Sequence, residues 1–230
     1  MGTIALIGVG KMGGAILEGL LASEFFTDEV VVVAKNSERA AELSDVYGVS
    51  ALSAQSACEI ANTILLMVKP QAIGDLLDQI SQFIRPGTLV ISVAAGITTE
   101  FMETKLQPGV SVVRVMPNTP SLVGEGMSVL SAGKNCTKEA LKSADEIMAC
   151  VGKTLIVDES LQNSVTAVSG SGPAYIFYIA EAMIEAGEKL GLTKQAAREL
   201  TVQTIFGAAT MLRDVDESPQ NLRQNVTSPN

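Results

Sequence analysis

Short β-branched runs alternate with amphipathic stretches over about the first 160 residues, a pattern typical of a parallel sheet covered by helices on both faces. The apolar runs predict strands at Thr3–Gly8, Glu29–Ala34, Thr63–Val68, Thr88–Ser92, Val110–Met116 and Thr154–Val157. Apolar positions with a 3.6-residue period predict helices at Gly13–Leu21, Ser37–Asp45, Gln71–Phe83 and Lys138–Cys150. The expected fold class is therefore α/β, with a doubly wound sheet at the N-terminus.

The pattern changes after Val157, where no further β-rich run appears and Ala, Gly, Glu, Gln and Met become frequent. Helices are predicted from Pro173 to about Leu190, from the capping Thr193 to about Leu212, and after Ser218-Pro219. A helical unit of roughly 70 residues buries little apolar surface by itself, so we expect a second subunit to complete its core. The predicted domains are residues 1–158 and 159–230.

Composition narrows the possible functions. The 47% hydrophobic and 18% charged residues suit a globular chain, and the net charge of −9 disfavours a nucleic-acid partner. No apolar run approaches the roughly 18 residues that a membrane span needs, and the start resembles no leader peptide, so we expect a cytoplasmic protein. Three widely spaced cysteines and the absence of histidine predict no metal site and no histidine catalysis.

A glycine-rich motif, Gly8-Val9-Gly10-Lys11-Met12-Gly13, follows the first predicted strand and opens the first helix. In this context Gly8 allows a tight turn, Gly10 lets the backbone approach a pyrophosphate, and Gly13 lets helix and sheet pack closely. The main-chain N–H groups at the helix start then face the phosphate charge. The motif predicts dinucleotide binding, and the alternative is an ordinary glycine-rich turn.

The residues after the second strand indicate which dinucleotide is bound. An acid would accept hydrogen bonds from a free ribose 2′-hydroxyl, but the sequence has Lys35, Asn36, Ser37 and Arg39 instead. These side chains offer positive charge and donors for a 2′-phosphate, so NADP is favoured and NADPH is expected to be preferred over NADH. The alternative is a solvated turn in which Ser37 caps a helix.

Three further strand ends should meet at the carboxyl edge of the sheet, where open α/β folds bind ligands. They are Val68-Lys69-Pro70, Ala94-Ala95-Gly96 and Met116-Pro117-Asn118. The small residues around Ala95 leave room for a flat nicotinamide ring, and Asn118 is a candidate to present its amide to that ring or its ribose. Each alone is also compatible with an ordinary strand-to-helix turn.

These motifs together resemble one family, Δ1-pyrroline-5-carboxylate reductase, over nearly the whole chain. The resemblance is carried by Gly8–Gly13, Val68–Gln71, Ser92–Gly96, Met116–Pro120, Asn225–Pro229 and, above all, by the signature-like segment Val165–Tyr175. It implies reduction of 1-pyrroline-5-carboxylate to L-proline with NAD(P)H, the last step of proline biosynthesis. It also implies a Rossmann-type domain followed by an all-helical dimerisation domain, with active sites shared between the subunits of a homodimer or a ring of dimers.

The resemblance also implies site residues. Cofactor contacts would come from Gly8, Gly10, Lys11, Met12, Gly13, Lys35, Asn36, Ser37, Arg39, Val68, Lys69, Pro70 and Ala95. Asn118 is a further candidate because of its position at a strand end, independently of the resemblance. Substrate contacts would come from Glu159, Asn225 and Ser228, and Glu159 is equally compatible with a helix-start acid favoured by the helix dipole. No catalytic side chain is expected if the imine arrives protonated, because it then needs only a well-placed hydride, and Lys69 as a proton donor is the alternative.

Two alternatives remain at this stage. A reductase of the β-hydroxyacid dehydrogenase type would share the N-terminal fold but normally carries a catalytic Lys on the linking helix, and positions 159 to 172 contain none. A non-catalytic NADP-binding protein, or an inactive truncated form, is the other. The family continues past the Ser-Pro with Gly-Gly-x-Thr and further helix, whereas this chain ends at Asn230, so weakened substrate binding, catalysis and dimer stability are expected.

Overall fold

A computed structural model describes residues 2–23 and 29–227 and divides the chain into two compact units, Met1–Ser171 and Gly172–Asn230. We call them the sheet unit and the helical unit. By this division the segment 159–171 belongs to the sheet unit. The domain boundary between residues 158 and 159 stays a prediction. Among the described residues, no helix combines the length and apolar character needed to cross a membrane.

The sheet unit contains one eight-stranded sheet in the order β3-β2-β1-β4-β5-β6-β7-β8. The strands are β1 (Thr3–Ile7), β2 (Glu29–Val33), β3 (Ser50–Ala51), β4 (Thr63–Leu66), β5 (Leu89–Ser92), β6 (Ser111–Met116), β7 (Gly126–Ala132) and β8 (Gly152–Ile156). The described pairs are parallel except β6 with β7, which run antiparallel. The predicted doubly wound α/β class is confirmed.

Helices cover both faces of this sheet. In the sheet unit they are α1 (Lys11–Ala22), α2 (Ser37–Tyr47), α3 (Ala54–Ile60), α4 (Pro70–Ile80), α5 (Thr99–Lys105), α6 (Lys138–Ala149) and α7 (Gln162–Val165). Leu17 of α1, Leu43 of α2 and Ile147 of α6 share one apolar core, and α3, α4 and α5 contribute to a second core on the opposite face. Two separate cores around a central sheet make this unit self-sufficient in buried apolar surface.

Two strands (β3 and β7) and three helices (α3, α5 and α7) were absent from the prediction, and α7 has only four residues. β3 has only two residues, β7 (GMSVLSA) mixes small and polar residues, and α3 and α5 are seven residues each, too short for a clear 3.6-residue period. The expectation of an all-parallel sheet at its far edge is corrected by the antiparallel β7.

The helical unit consists of α8 (Gly172–Lys189), α9 (Lys194–Asp214) and α10 (Pro219–Asn225). Thr193 caps α9 as predicted, through a hydrogen bond from the backbone N–H of Ala196 to its side chain. Between β8 and α8 the chain forms a 3-10 turn (Glu159–Leu161), α7 and a π-helical turn at Thr166–Gly170, where the backbone N–H of Ser171 donates to the Thr166 carbonyl. The signature-like segment Val165–Tyr175 thus covers the end of α7, this π-helical turn and the start of α8.

Candidate cofactor site at the carboxyl edge of the sheet

The glycine-rich loop between β1 and α1 has the geometry of a phosphate cradle. Gly8 has φ +88°, and a Cβ there would lie 2.6 Å from Val68 Cγ1, so only glycine fits without strain. A Cβ on Gly10 would meet nothing within 4 Å, which leaves open space beside the backbone. Gly13 is buried against the Met67 side chain, as expected for close packing of helix and sheet.

The start of α1 offers main-chain donors to an anion. Gly10 is the N-cap, with no side-chain cap hydrogen bond and no acid in the first turn. The first N–H groups of a helix have no intrahelical partner and carry the positive end of its dipole. The residues of this loop therefore fit the pyrophosphate of a dinucleotide.

Arg39 is held beside this loop by two side-chain interactions. Its Nη2 donates to the Val9 carbonyl at 3.2 Å, and its Nη1 pairs with Glu42 at 2.6 Å. A cleft of about 210 Å³ lies next to it, between α1 and α2, and its wall includes Tyr47. The hydrogen bond that Tyr47 donates to Glu18 raises the pKa of the phenol, which stays neutral there.

The other residues expected at a 2′-phosphate lie on the same turn. Lys35, Asn36 and Ser37 are all exposed after the end of β2. Asn36, rather than Ser37, caps α2, because its Oδ1 accepts from the backbone N–H of Arg39 at 2.9 Å. The cap leaves the amide nitrogen of Asn36 as its donor toward a ligand.

The next two strand ends lie beside the glycine-rich loop, since β4 pairs with β1 and β5 pairs with β4. Val68 packs against Gly8, Lys69 is the exposed N-cap of α4, and Pro70 is its first residue. Ala95 is exposed in the loop after β5. The topology thus brings these predicted cofactor residues to one edge of the sheet.

Asn118 stays a predicted cofactor contact, and its amide already makes two hydrogen bonds within the sheet unit. Its Oδ1 accepts from the backbone N–H of Met127 at 2.8 Å, and its Nδ2 donates to the Ser169 carbonyl at 3.1 Å. The side chain ties β7 and the π-helical turn to the end of β6, and a ligand contact would depend on its second Nδ2 hydrogen.

Glu159 was predicted to contact the substrate, which stays a prediction, and in the structure its carboxylate is bonded within the sheet unit. Its Oε1 accepts from the backbone N–H of Thr99 at 2.9 Å and from Arg114 at 3.2 Å, and its Oε2 accepts from the Thr99 hydroxyl at 2.5 Å. The Arg114 side chain is only 8% exposed, so its charge requires this partner. Sequence reasoning missed both partners, although a lone arginine inside the apolar run of β6 was a signal for a buried ion pair.

The remaining predicted substrate residues lie near the end of the chain. Asn225 ends α10, and its Nδ2 donates to Glu217 Oε2 at 3.1 Å. Ser228 lies outside the described residues.

Comparison with known proteins places this geometry in context. The family model for pyrroline-5-carboxylate reductase dimerisation matches residues 159–230, and that for coenzyme F420-dependent NADP oxidoreductases matches residues 3–96. A pyrroline-5-carboxylate reductase of Corynebacterium melassecola is 41% identical over 100% of this chain and 86% of its own.

Solved structures agree. The reductase of Coxiella burnetii has a TM-score of 0.91 at 38% identity, covering 98% of this chain and 85% of its own. The Plasmodium falciparum reductase, solved with NADP bound, has a TM-score of 0.87 at 28% identity, covering 99% and 84%. On this evidence the chain belongs to the pyrroline-5-carboxylate reductase family.

Proposed function

We propose that this protein reduces 1-pyrroline-5-carboxylate to L-proline by hydride transfer from NADPH. The observation that carries the proposal is the start of α1 after Gly8 and Gly10, where no side chain caps the helix, in a chain of this family. The loop offers main-chain donors and open space, the two properties that a pyrophosphate needs.

The cofactor is proposed to lie across the carboxyl edge of the sheet. Its pyrophosphate would be held by the amides of Lys11, Met12 and Gly13, and its 2′-phosphate by Lys35 and Arg39, with Asn36 and Ser37 as donors. Arg39 supports this proposal because the Val9 carbonyl already holds its guanidinium at the loop. A fixed guanidinium loses little conformational entropy when it binds a phosphate.

The nicotinamide end would then reach the strand ends of β4 and β5, between Val68, Lys69 and Pro70 on one side and Ala95 on the other. Bound NADPH supplies the hydride that reduces the C=N bond. The part played by the chain is to hold the ring and the imine at a reactive distance and to exclude water. A chain without histidine is compatible with this chemistry, since a protonated imine needs no strong general acid.

The substrate is proposed to bind near Asn225 and Ser228, with its carboxylate on backbone N–H groups of the 225–229 segment. The predicted contact of Glu159 with the substrate is not part of this proposal, which assigns its carboxylate to Thr99 and Arg114 instead.

The active form is proposed to be a homodimer, or a ring of dimers, built on the helical unit. Its described residues include only two buried ones, Ala197 and Thr201, while large apolar side chains on α8 and α9 are exposed. A second copy covering these faces would supply the missing core. The cytoplasmic location stays a prediction.

A turnover assay tests the proposal directly. With 1-pyrroline-5-carboxylate as substrate, NADPH oxidation and proline formation are measured in parallel. With a β-hydroxyacid as the alternative substrate, NADP is supplied and its reduction is measured. Equal amounts of NADPH consumed and proline formed are expected. Tight NADPH binding without turnover would overturn the proposal in favour of a non-catalytic NADP-binding protein.

A further inference from the structure

A row of buried polar side chains crosses three neighbouring strands on the face that α5 covers. Ser92 of β5 is the register partner of Arg114 of β6, and Arg114 is the register partner of Ser131 of β7. Their exposed fractions are 0%, 7% and 0%. A buried polar group destabilises the folded state unless it is hydrogen-bonded. The hydrogen-bond partners of these three side chains therefore show which segments they hold in place.

One end of the row holds the loop that follows β5. The backbone N–H of Ala94 donates to Ser92 Oγ at 3.3 Å, just before Ala95. Thr99, which is 5% exposed, directs its backbone N–H and its hydroxyl to the two oxygens of Glu159. The segment 94–99, on which the nicotinamide ring is proposed to rest, is thus fixed at both ends.

The other end of the row holds the segment that leads away from β8. Ser131 Oγ donates to the Val157 carbonyl at 3.0 Å and accepts from Gln162 Nε2 at 2.8 Å. Glu159 lies between these two bonded residues and pairs with Arg114 at 3.2 Å. Its carboxylate therefore joins the loop after β5 to the start of the segment 159–171.

We propose that Glu159 is a positioning residue for hydride transfer, acting through Thr99 on the loop 94–99. This inference rests on the proposed function, since it assigns the loop to the nicotinamide ring. An ion pair that served stability alone would need only Arg114, whereas both oxygens of Glu159 are directed at the first residue of α5. A shift of about 1 Å in the ring relative to the imine is enough to slow transfer about 100-fold.

Thr99→Val and Thr99→Ser form the matched pair that tests the proposal. Valine has nearly the same shape but lacks the hydroxyl donor to Glu159, whereas serine keeps it. Neither change touches the Arg114 pair. Glu159→Gln is the stronger variant, because it also leaves the buried Arg114 without its charge partner.

Four quantities are measured on the full chain: the NADPH Kd, the fluorescence lifetime of bound NADPH, the deuterium isotope effect on turnover with NADPH labelled at C4, and the thermal unfolding midpoint. For Thr99→Val we expect a Kd within about twofold, a changed lifetime, and turnover about tenfold slower with a larger isotope effect. Thr99→Ser should match wild type. Glu159→Gln should lose about 100-fold in turnover.

A structural role alone would lower turnover only in proportion to lost folded protein and would leave the isotope effect and the lifetime unchanged. That result for Thr99→Val would overturn the inference. The lifetime does not depend on turnover. If wild type binds NADPH without producing proline, the proposed function fails, and an altered lifetime in Thr99→Val but not Thr99→Ser still supports the positioning role.

Discussion

The two units of this chain differ most in what surrounds their apolar side chains. In the sheet unit the strands are sandwiched between two buried clusters, with residues such as Leu6 and Leu65 fully enclosed. In the helical unit, Phe177, Tyr178 and Phe206 are each more than 60% exposed. One unit is complete within a single chain, and the other presents an exposed apolar surface, which fits its match to a dimerisation domain.

The difference indicates where each part of the function belongs. A cofactor site requires loops fixed to within a fraction of an ångström, and the sheet unit fixes them on a self-sufficient core. An exposed apolar helix pair cannot do this alone. The comparison therefore supports the proposal that the sheet unit binds the cofactor and the helical unit mediates assembly.

A charge on the exposed apolar surface of the helical unit should give the largest effect, which is on subunit association. Phe206→Glu places a carboxylate on α9 where we expect a partner, at a cost of about 3–5 kcal/mol. Subunit association should weaken by about 100-fold or more, as measured by sedimentation velocity. Val46→Glu is the matched control, because Val46 is equally exposed (65% against 66%) but lies on α2. A dimeric Phe206→Glu variant would contradict the comparison.

A second pair of variants separates cofactor binding from folding within the sheet unit. Gly8→Ala forces a side chain into φ +88° against Val68 and should lower the unfolding free energy by about 2 kcal/mol. Gly10→Ala meets open space and should change it by less than about 0.5 kcal/mol. Both should weaken NADPH binding by about tenfold or more, because the added methyl disturbs the anion cradle. Calorimetric unfolding and NADPH titration measure the two effects, and unchanged NADPH affinity in Gly10→Ala would rule out the cradle.

Cofactor preference gives a smaller and more selective effect. Replacing Lys35 and Arg39 by Ala should weaken NADPH binding by about 10- to 100-fold, since hydrogen bonds to charged groups contribute about 1.5–3 kcal/mol. NADH affinity should change by less than about threefold. Glu42→Gln, which removes only the charge of the exposed partner of Arg39, is the control. It should change the binding free energy of NADPH by less than about 1 kcal/mol. Equal losses for both cofactors in fluorescence titrations would reject these two side chains as the 2′-phosphate site.

Chemical labelling of Cys58 gives the smallest effect and tests whether the sheet unit is stable without the dimer. Burial raises the pKa of the Cys58 thiol to about 11, so at pH 8 only about one molecule in a thousand carries the reactive thiolate. Because Cys58 is fully buried, its labelling, followed by peptide mass spectrometry, should be much slower than that of the partly buried Cys136 and Cys150, and equal rates would contradict the burial. Because Cys58 lies in the sheet-unit core, Phe206→Glu should not speed its labelling. Rapid labelling in that variant would show that the sheet unit depends on the dimer.

The sequence allowed prediction of features that depend on neighbours in the chain. The glycine motif, the first two strands and the Thr193 cap each have a local pattern, and the structure has them within a few residues of the predicted bounds. Contacts between distant residues left no such pattern. Glu159 meets Thr99 across 60 positions and Arg114 across 45, which is why the sequence did not reveal these two partners.

A crystal structure of the chain with NADPH tests the central claim most directly. The account predicts the pyrophosphate on the amides of Lys11 to Gly13, the 2′-phosphate against Arg39, and the nicotinamide ring on the loop 94–99. A cofactor bound elsewhere, or a glycine-rich loop that stays empty at saturating NADPH, would contradict it.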